Sequence, residues 1–211
     1  MSSLESRCKD STEEACGYDS AVGDDDLGEL LRTKFADSIP DKGHPSEKEA
    51  AVLVPFIRRG SDWFLVFTRR TEDLSRHKGE ISFPGGMVDA DEDSRRAALR
   101  ETEEELGIPR SRVEIVGAIS GVHTIVSGVF IEPWVGILAE AKYVPNPREI
   151  AEVIEIPFDE LIDPRAYREQ RFIRAGAMYT SPAYDFGSNT IWGATGRIVE
   201  NLIQAIKIIS L

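Results

Sequence analysis

Three glutamates, Glu101, Glu104 and Glu105, crowd into one turn of the run Arg100-Glu101-Thr102-Glu103-Glu104-Glu105-Leu106. At about 100° per residue they share one arc of a helix. Ala98, Leu99, Thr102 and Leu106 fall on the neighbouring arc, which is suited to pack on a sheet. Carboxylates held this close repel one another unless a cation sits among them. Hard, oxygen-seeking ions such as Mg²⁺ answer that need. The alternative is a solvated acidic face. Against it stand Gly85 and Gly86, which open a loop just upstream, Glu92 six residues past Gly86, and Gly107 closing the helix.

Local signals position these acids. Asp91 or Asp93 can cap the helix start, and acids in its first turn suit the positive end of the dipole. Ala97, Ala98 and Leu99 favour helix, and Gly107 suits a left-handed C-terminal cap. Before them, Leu27, Leu30, Leu31 and Phe35 recur at helical spacing, and Pro40–Pro45 reads as a linker. Ala50–Ile57 and Trp63–Thr68 are apolar runs around Arg58-Arg59-Gly60-Ser61-Asp62, which predicts a hairpin. Arg69–Lys78 is a charged connection, and Glu80–Phe83 a short strand entering the glycine loop.

Further strands are expected at Val113–Ile119, Ile131–Leu138 and Val153–Ile156, with a loop over Val144–Glu149 and a short helix over Phe158–Ile162. Phe172–Tyr179 and Tyr184–Phe186 are expected to pair across a turn at Ser181-Pro182. Trp192, Ile198, Leu202, Ala205 and Ile206 mark a C-terminal helix. Strands with a few intervening helices indicate a layered α/β domain.

With 211 residues the chain has room for one domain with a sizeable core. Residues 1–26 hold eight acids against Arg7 and Lys9, a net −6 out of −12 for the whole chain. So polar a segment is expected to be a disordered tail, leaving 27–211 as the folded domain. Cys8 and Cys16 both lie in that tail, with no spacing that suggests a metal knuckle or a catalytic thiol. The negative charge and the lack of a basic face argue against nucleic acid as a partner. No apolar run approaches the roughly 18 residues of a membrane span, and no basic-then-apolar leader is evident. Cytoplasm is the expected location.

The stretch from Gly86 to Ile108 resembles the signature of the Nudix hydrolases, G-x5-E-x7-R-E-U-x-E-E-x-G-U, where U is bulky and apolar. Gly86, Glu92, Arg100, Glu101, Glu104, Glu105, Gly107 and Ile108 match, and Thr102 replaces an aliphatic residue. The resemblance implies an α/β/α sandwich with a mixed β-sheet, and a hydrolase of nucleoside diphosphate-linked pyrophosphates that uses Mg²⁺ or Mn²⁺. Glu101 and Glu105 are then direct metal ligands and Glu104 a further or water-mediated one. A backbone carbonyl at Gly85 or Gly86 can complete the shell, since glycine lets the chain approach the ion. Arg100 orients the acids and Glu92 stabilises the loop. The general base is then either a signature glutamate or an acid on a distant loop, for which Glu149 and Glu152 are the candidates.

Upstream, Arg69, Arg70, Arg76, His77 and Lys78 make a basic patch in an acidic protein, as a multiply phosphorylated ligand requires. Thr68, Arg70, Gly79 and Phe83-Pro84-Gly85-Gly86 resemble the extra motif of the coenzyme A pyrophosphatase branch. Thr71 replaces a small residue of that motif, and Ser75 stands where a cation is usual, with Arg76 one place later. Asn146-Pro147-Arg148-Glu149 and Ile191-Trp192-Gly193-Ala194-Thr195-Gly196-Arg197-Ile198 are similar to further segments of the branch. The resemblance implies coenzyme A or its acyl derivatives as substrate, with Arg69, Arg70, Arg76, His77, Gly79 and Phe83 in its binding. Arg70 in particular is expected on the 3′-phosphate. ADP-ribose, NADH and dinucleoside polyphosphates are the alternative substrates. A nucleotide-binding regulator would be expected to lose signature acids, and all three are present here. Homodimers are common among such proteins, so a homodimer is a further expectation.

Overall fold

The computed structural model describes residues 26–36, 38–44, 48–71, 79–125, 127–140, 142–174 and 176–207. The acidic stretch before residue 26, and with it the expected tail, lies outside them. In chain order the elements are α1 (Asp26–Phe35), β1 (Lys48–Arg59), β2 (Asp62–Arg70), β3 (Ile81–Ser82), β4 (Gly85–Met87) and α2 (Ser94–Leu106). β5 (Val113–Ala118), β6 (Val122–His123), β7 (Val129–Leu138), β8 (Ile150–Pro157) and α3 (Phe158–Ile162) follow. The chain continues through β9 (Tyr167–Arg174), β10 (Ala177–Phe186), β11 (Asn189–Trp192) and α4 (Gly193–Lys207). None of the described helices is long and apolar enough to cross a membrane.

The main sheet runs β3-β2-β1-β7-β5, with β4 pairing β1, β6 pairing β7 and β8 pairing β2. β1 and β7 are parallel from Lys48↔Val129 to Ile57↔Leu138, while the other pairings are antiparallel. The sheet is therefore mixed, with helices on both faces. Its central strand explains why. Ala51, Leu53 and Ile57 of β1 point to the face where α2 packs through Ala97, Ala98 and Leu106. Val54 and Phe56 point to the opposite face, where α1, α3 and α4 bring Leu31, Phe35, Leu161, Ile198 and Leu202. A strand covered on both faces reads as a continuous apolar run, which is what Ala50–Ile57 is.

The second sheet, β11-β10-β9, corrects one expectation. Ser181-Pro182 is no turn: both residues lie inside β10, where Ser181 pairs with Gln170 and Pro182 with Glu169. Phe172 and Tyr179 face each other across the β9–β10 hairpin, with rings 5.7 Å apart. The reversal falls beside Gly176, whose φ of 79° suits glycine. Trp192 also differs from expectation, since it ends β11 instead of joining the C-terminal helix.

Candidate active site

Helix α2 begins and ends where the sequence signals fall. The Asp93 carboxylate accepts the Arg96 N–H at 2.8 Å, and Gly107 closes the helix in the left-handed conformation, φ 67°. The expected acids of the first turn are absent, because Asp91, Glu92 and Asp93 all precede Ser94. Ser94, the first helical residue, donates its hydroxyl hydrogen to the buried Glu132 carboxylate of β7. It accepts from the Trp134 indole N–H at 3.1 Å. At the other end the last carbonyls are taken up by the following loop: Val144 N–H bonds Leu106 O at 2.8 Å and Asn146 N–H bonds Glu105 O at 3.0 Å. Part of the backbone left unpaired at each helix end is thereby taken up by the protein itself.

The three acids do not share one environment. Glu105 is only 2 % exposed and belongs with Ala98, Thr102 and Leu106 to the packed side, not to the open arc expected for it. Burial pushes its carboxyl up to about 8, against the opposing pull of Arg70 and of the Gly85 N–H, while Glu101 and Glu149 add to the rise. The Gly85 N–H donates to its Oε2 at 3.3 Å, and Arg70 Nη1 stands 3.5 Å from Oε1. Glu101 is half-buried, and its carboxyl is likewise raised by burial. Its carboxylate lies against Gly86, where any Cβ would overlap it. Glu104 is open to solvent, its side chain 57 % exposed. Leu99 is half-buried, and Ala97 takes the core position expected of it. Thr102 is buried and spends its hydroxyl on Ala98 O at 2.7 Å, which is how a polar residue replaces an aliphatic one there.

Arg100 organises the acids around it. It bonds Glu92 Oε1 at 2.7 Å, Glu101 Oε1 at 2.7 Å, Glu104 Oε2 at 3.4 Å and the Met87 carbonyl at 3.1 Å. Glu92 in turn accepts the Asp89 N–H at 3.2 Å, and Arg100 holds its carboxyl below the usual range. The helix, the glycine strand β4 and the loop between them thus share one guanidinium.

The upstream motif is brought only partly to this site. Pairing between β2 and β8 shifts between Arg69 and Arg70, leaving Ala151 as an extra residue, a bulge of the kind that re-aims side chains. Arg70 turns toward Glu105. Arg69 turns away and clasps β8 and β11, with Glu152 at 2.9 Å and Asn189 Oδ1 at 2.5 Å. Glu152 is turned to Arg69 in that clasp. Phe83, expected to contact substrate, is 2 % exposed and stacks on Phe67 at 4.5 Å in the core. Gly79 supplies a turn at φ 64°. Ser75, Arg76, His77 and Lys78 lie outside the described residues.

Glu149 sits beside the site. Its charge raises both Glu101 and Glu105, and the Asn146 amide donates to its Oε1 at 3.1 Å. Sequence reasoning quoted Asn146 only as part of a motif and gave it no role. It also missed Glu132, whose sole signal was a lone acid within an apolar strand.

A divalent cation suits this donor set. Among the described residues no three acidic, imidazole or thiol groups converge tightly enough to hold an ion. Glu101 is turned to Arg100, and Glu105 to Arg70 and Gly85. Burial nonetheless disfavours the charge of the Glu105 carboxylate, and Gly86 leaves room beside Glu101 that a side chain would fill. Hard oxygen donors that are destabilised when ionised alone fit Mg²⁺ or Mn²⁺.

Comparison with known proteins agrees with this chemistry. The NUDIX domain family matches residues 47–175, more than half of the chain. The chain is 32 % identical over 171 residues to the uncharacterized Nudix hydrolase NudL of Photorhabdus laumondii, covering 80 % of this chain and 90 % of that one. It is 34 % identical over 165 residues to the NudL of Yersinia pestis, covering 77 % and 82 %. Among solved structures it superposes on a MutT/nudix protein of Enterococcus faecalis with TM-score 0.52 at 12 % identity, over 81 % of this chain and 64 % of that one. A NUDIX hydrolase of Nitrosomonas europaea gives TM-score 0.52 at 15 % identity, over 80 % and 74 %. Those two likenesses speak for the fold alone. With the family match, the relatives and the glutamate helix in agreement, the chain belongs to the Nudix hydrolases.

Proposed function

We propose that this Nudix hydrolase cleaves the pyrophosphate of coenzyme A and its acyl derivatives, releasing adenosine 3′,5′-bisphosphate and a 4′-phosphopantetheine compound. The coarser statement stands on the family: hydrolysis of small nucleoside diphosphate-linked substrates. What supports the finer one is the upstream motif of Thr68, Arg70, Gly79 and Phe83-Pro84-Gly85-Gly86, whose Arg70 is held 3.5 Å from Glu105 of the signature helix. The two motifs thereby converge on one site.

Water attacks one phosphorus, the bridging P–O bond breaks, and the bridging oxygen leaves with the other phosphate. Glu101 and Glu105, with Glu104 and the Gly86 carbonyl beside them, would hold Mg²⁺ or Mn²⁺, which when bound would supply neutralisation of the phosphate oxygens and acidification of the attacking water. Glu149 receives the proton of the attacking water. Arg100 keeps Glu101 and Glu104 in place through the contacts described above.

Arg70 is re-read by its position. A cation against the metal helix meets the pyrophosphate, not the 3′-phosphate at the far end of the nucleotide. Arg70→Ala is therefore expected to cut kcat/KM by roughly tenfold to a hundredfold on coenzyme A and on dephospho-coenzyme A alike. A loss confined to coenzyme A would return Arg70 to the 3′-phosphate.

Product analysis on coenzyme A, ADP-ribose, NADH and diadenosine tetraphosphate, with Mg²⁺ and with Mn²⁺, tests the substrate. Highest kcat/KM on coenzyme A, with adenosine 3′,5′-bisphosphate among the products, is the expected result. Preference for any of the others overturns it.

A further inference from the structure

Between β7 and β8 the chain passes the end of α2 through residues 142–149, and Asn146 in this crossing has partners on every side. Asn146 donates its backbone N–H to the Glu105 carbonyl at 3.0 Å, which ties the loop to the end of α2. Its own carbonyl accepts from Glu149 N–H at 3.0 Å and from Ile150 N–H at 2.8 Å, so the chain folds back over it into β8. Its side-chain Oδ1 accepts the Arg148 N–H at 3.2 Å, an Asx turn. That leaves the amide Nδ2, which donates to Glu149 Oε1 at 3.1 Å. A single half-buried asparagine therefore joins the backbone of the buried glutamate on α2 to the carboxylate of the loop glutamate.

The rest of the loop is fastened independently. Thr71 N–H bonds the Glu149 carbonyl at 2.9 Å, and Thr71 Oγ1 donates to the Arg148 carbonyl at 3.3 Å. Tyr143, at the loop's start, donates its hydroxyl to Glu155 at 2.6 Å, and Arg59 bonds the same carboxylate. These bonds fix the path of the backbone. Among the described residues, the bond from Asn146 Nδ2 is the hydrogen bond that the Glu149 carboxylate makes, and it selects one setting of that side chain. Pro147 follows Asn146, so the residue before it is confined to extended backbone, which presents the amide on one side of the turn.

We propose that Asn146 is a positioning residue: by holding Glu149 Oε1 while its backbone grips the Glu105 carbonyl, it sets the distance between the proton acceptor and the metal-binding helix. The inference rests on the reading of Glu149 as the base. It adds that the base is aligned from α2 itself, so that acceptor and ion site move together. Asn146 touches neither substrate nor ion in this account. Its effect passes wholly through Glu149.

A mutant cycle on the full chain with Mn²⁺ and coenzyme A tests this. Asn146→Ser keeps an oxygen for the Arg148 N–H and changes no charge, but is too short to reach Glu149. Glu149→Gln is expected to lower kcat about a hundredfold or more, with KM within about threefold. Asn146→Ser is expected to lower kcat about tenfold, again with little change in KM and with the thermal midpoint near that of the parent. In the Glu149→Gln background, Asn146→Ser is expected to cost less than about twofold further, since its route to the chemistry is already gone. Equal losses in both backgrounds, or an unchanged kcat in Asn146→Ser alone, would overturn the positioning role. Full activity in Glu149→Gln would instead remove the base reading beneath it. If Asn146→Ser lowers the midpoint, its kcat is measured well below the midpoint, and recovery there to the parent value also counts against the proposal.

Discussion

Glu105→Gln is expected to lower metal-dependent turnover by roughly a thousandfold or more while leaving the fold intact, which assays at saturating Mn²⁺ beside a thermal melt will show. The amide has the same shape and can still accept the Gly85 N–H, so packing on the sheet survives. What is lost is the negative charge. Near-parental turnover would take Glu105 out of the ion's coordination. The same substitution has a second readout. In the metal-free protein, burial raises the Glu105 carboxyl from 4.5 to about 8, so the folded state holds a proton there that the unfolded state releases. Stability therefore falls as pH rises from the unfolded to the folded value, and is flat above it. Glutamine has no such proton. With chelator present, the variant is expected to melt progressively higher than the parent as pH rises through that window. Parallel curves would show that the carboxyl is not perturbed.

Gly86→Ala is expected to abolish most activity, by a factor on the order of a hundred, at little cost in stability. A Cβ at Gly86 overlaps the Glu101 carboxylate, which is the far end of a flexible side chain and can swing aside. It cannot do so and keep its place beside the glycine strand. Gly85→Ala makes the contrast. There a Cβ meets the Ala51 carbonyl and the Val52 backbone, on the strand that β4 pairs with. That clash has no soft partner, and a loss of roughly 3 kcal/mol or more is expected from overpacking. Urea denaturation of both variants separates the two effects. A Gly86→Ala protein with full activity would mean Glu101 does not need its present position.

What could be read from the sequence followed from short-range physics. The Asp93 cap, the Gly107 terminus, the β1–β2 hairpin and α3 at Phe158–Ile162 are set by residues within a few positions of one another. The acids of α2 were legible for the same reason. Glu105 was misplaced because helical phase alone cannot tell a solvated glutamate from one that the sheet covers. The Ser181-Pro182 turn failed for a related reason. Proline and serine favour turns locally, but pairing with Glu169 and Gln170 of β9 holds the segment extended. Arg69 and Arg70 were indistinguishable as neighbours in a basic run. The β8 bulge opposite them sends one to a clasp and the other to the acids, and that depends on a strand some eighty residues away.

The two anchored ends of α2 carry a consequence for motion. At its start, the indole of Trp134 can only donate, so the Ser94 hydroxyl must accept it and send its single hydrogen to Glu132. That chain runs one way and leaves the serine no alternative partner. At its end, the loop takes the carbonyls of Glu105 and Leu106. A helix held so at both termini cannot fray from either, nor slide by a turn without breaking β7's polar contact and the 142–149 crossing together. Its amide hydrogens are then released only by openings that take the central sheet with them. The carboxylates that α2 carries are thereby held for as long as the sheet beneath them persists.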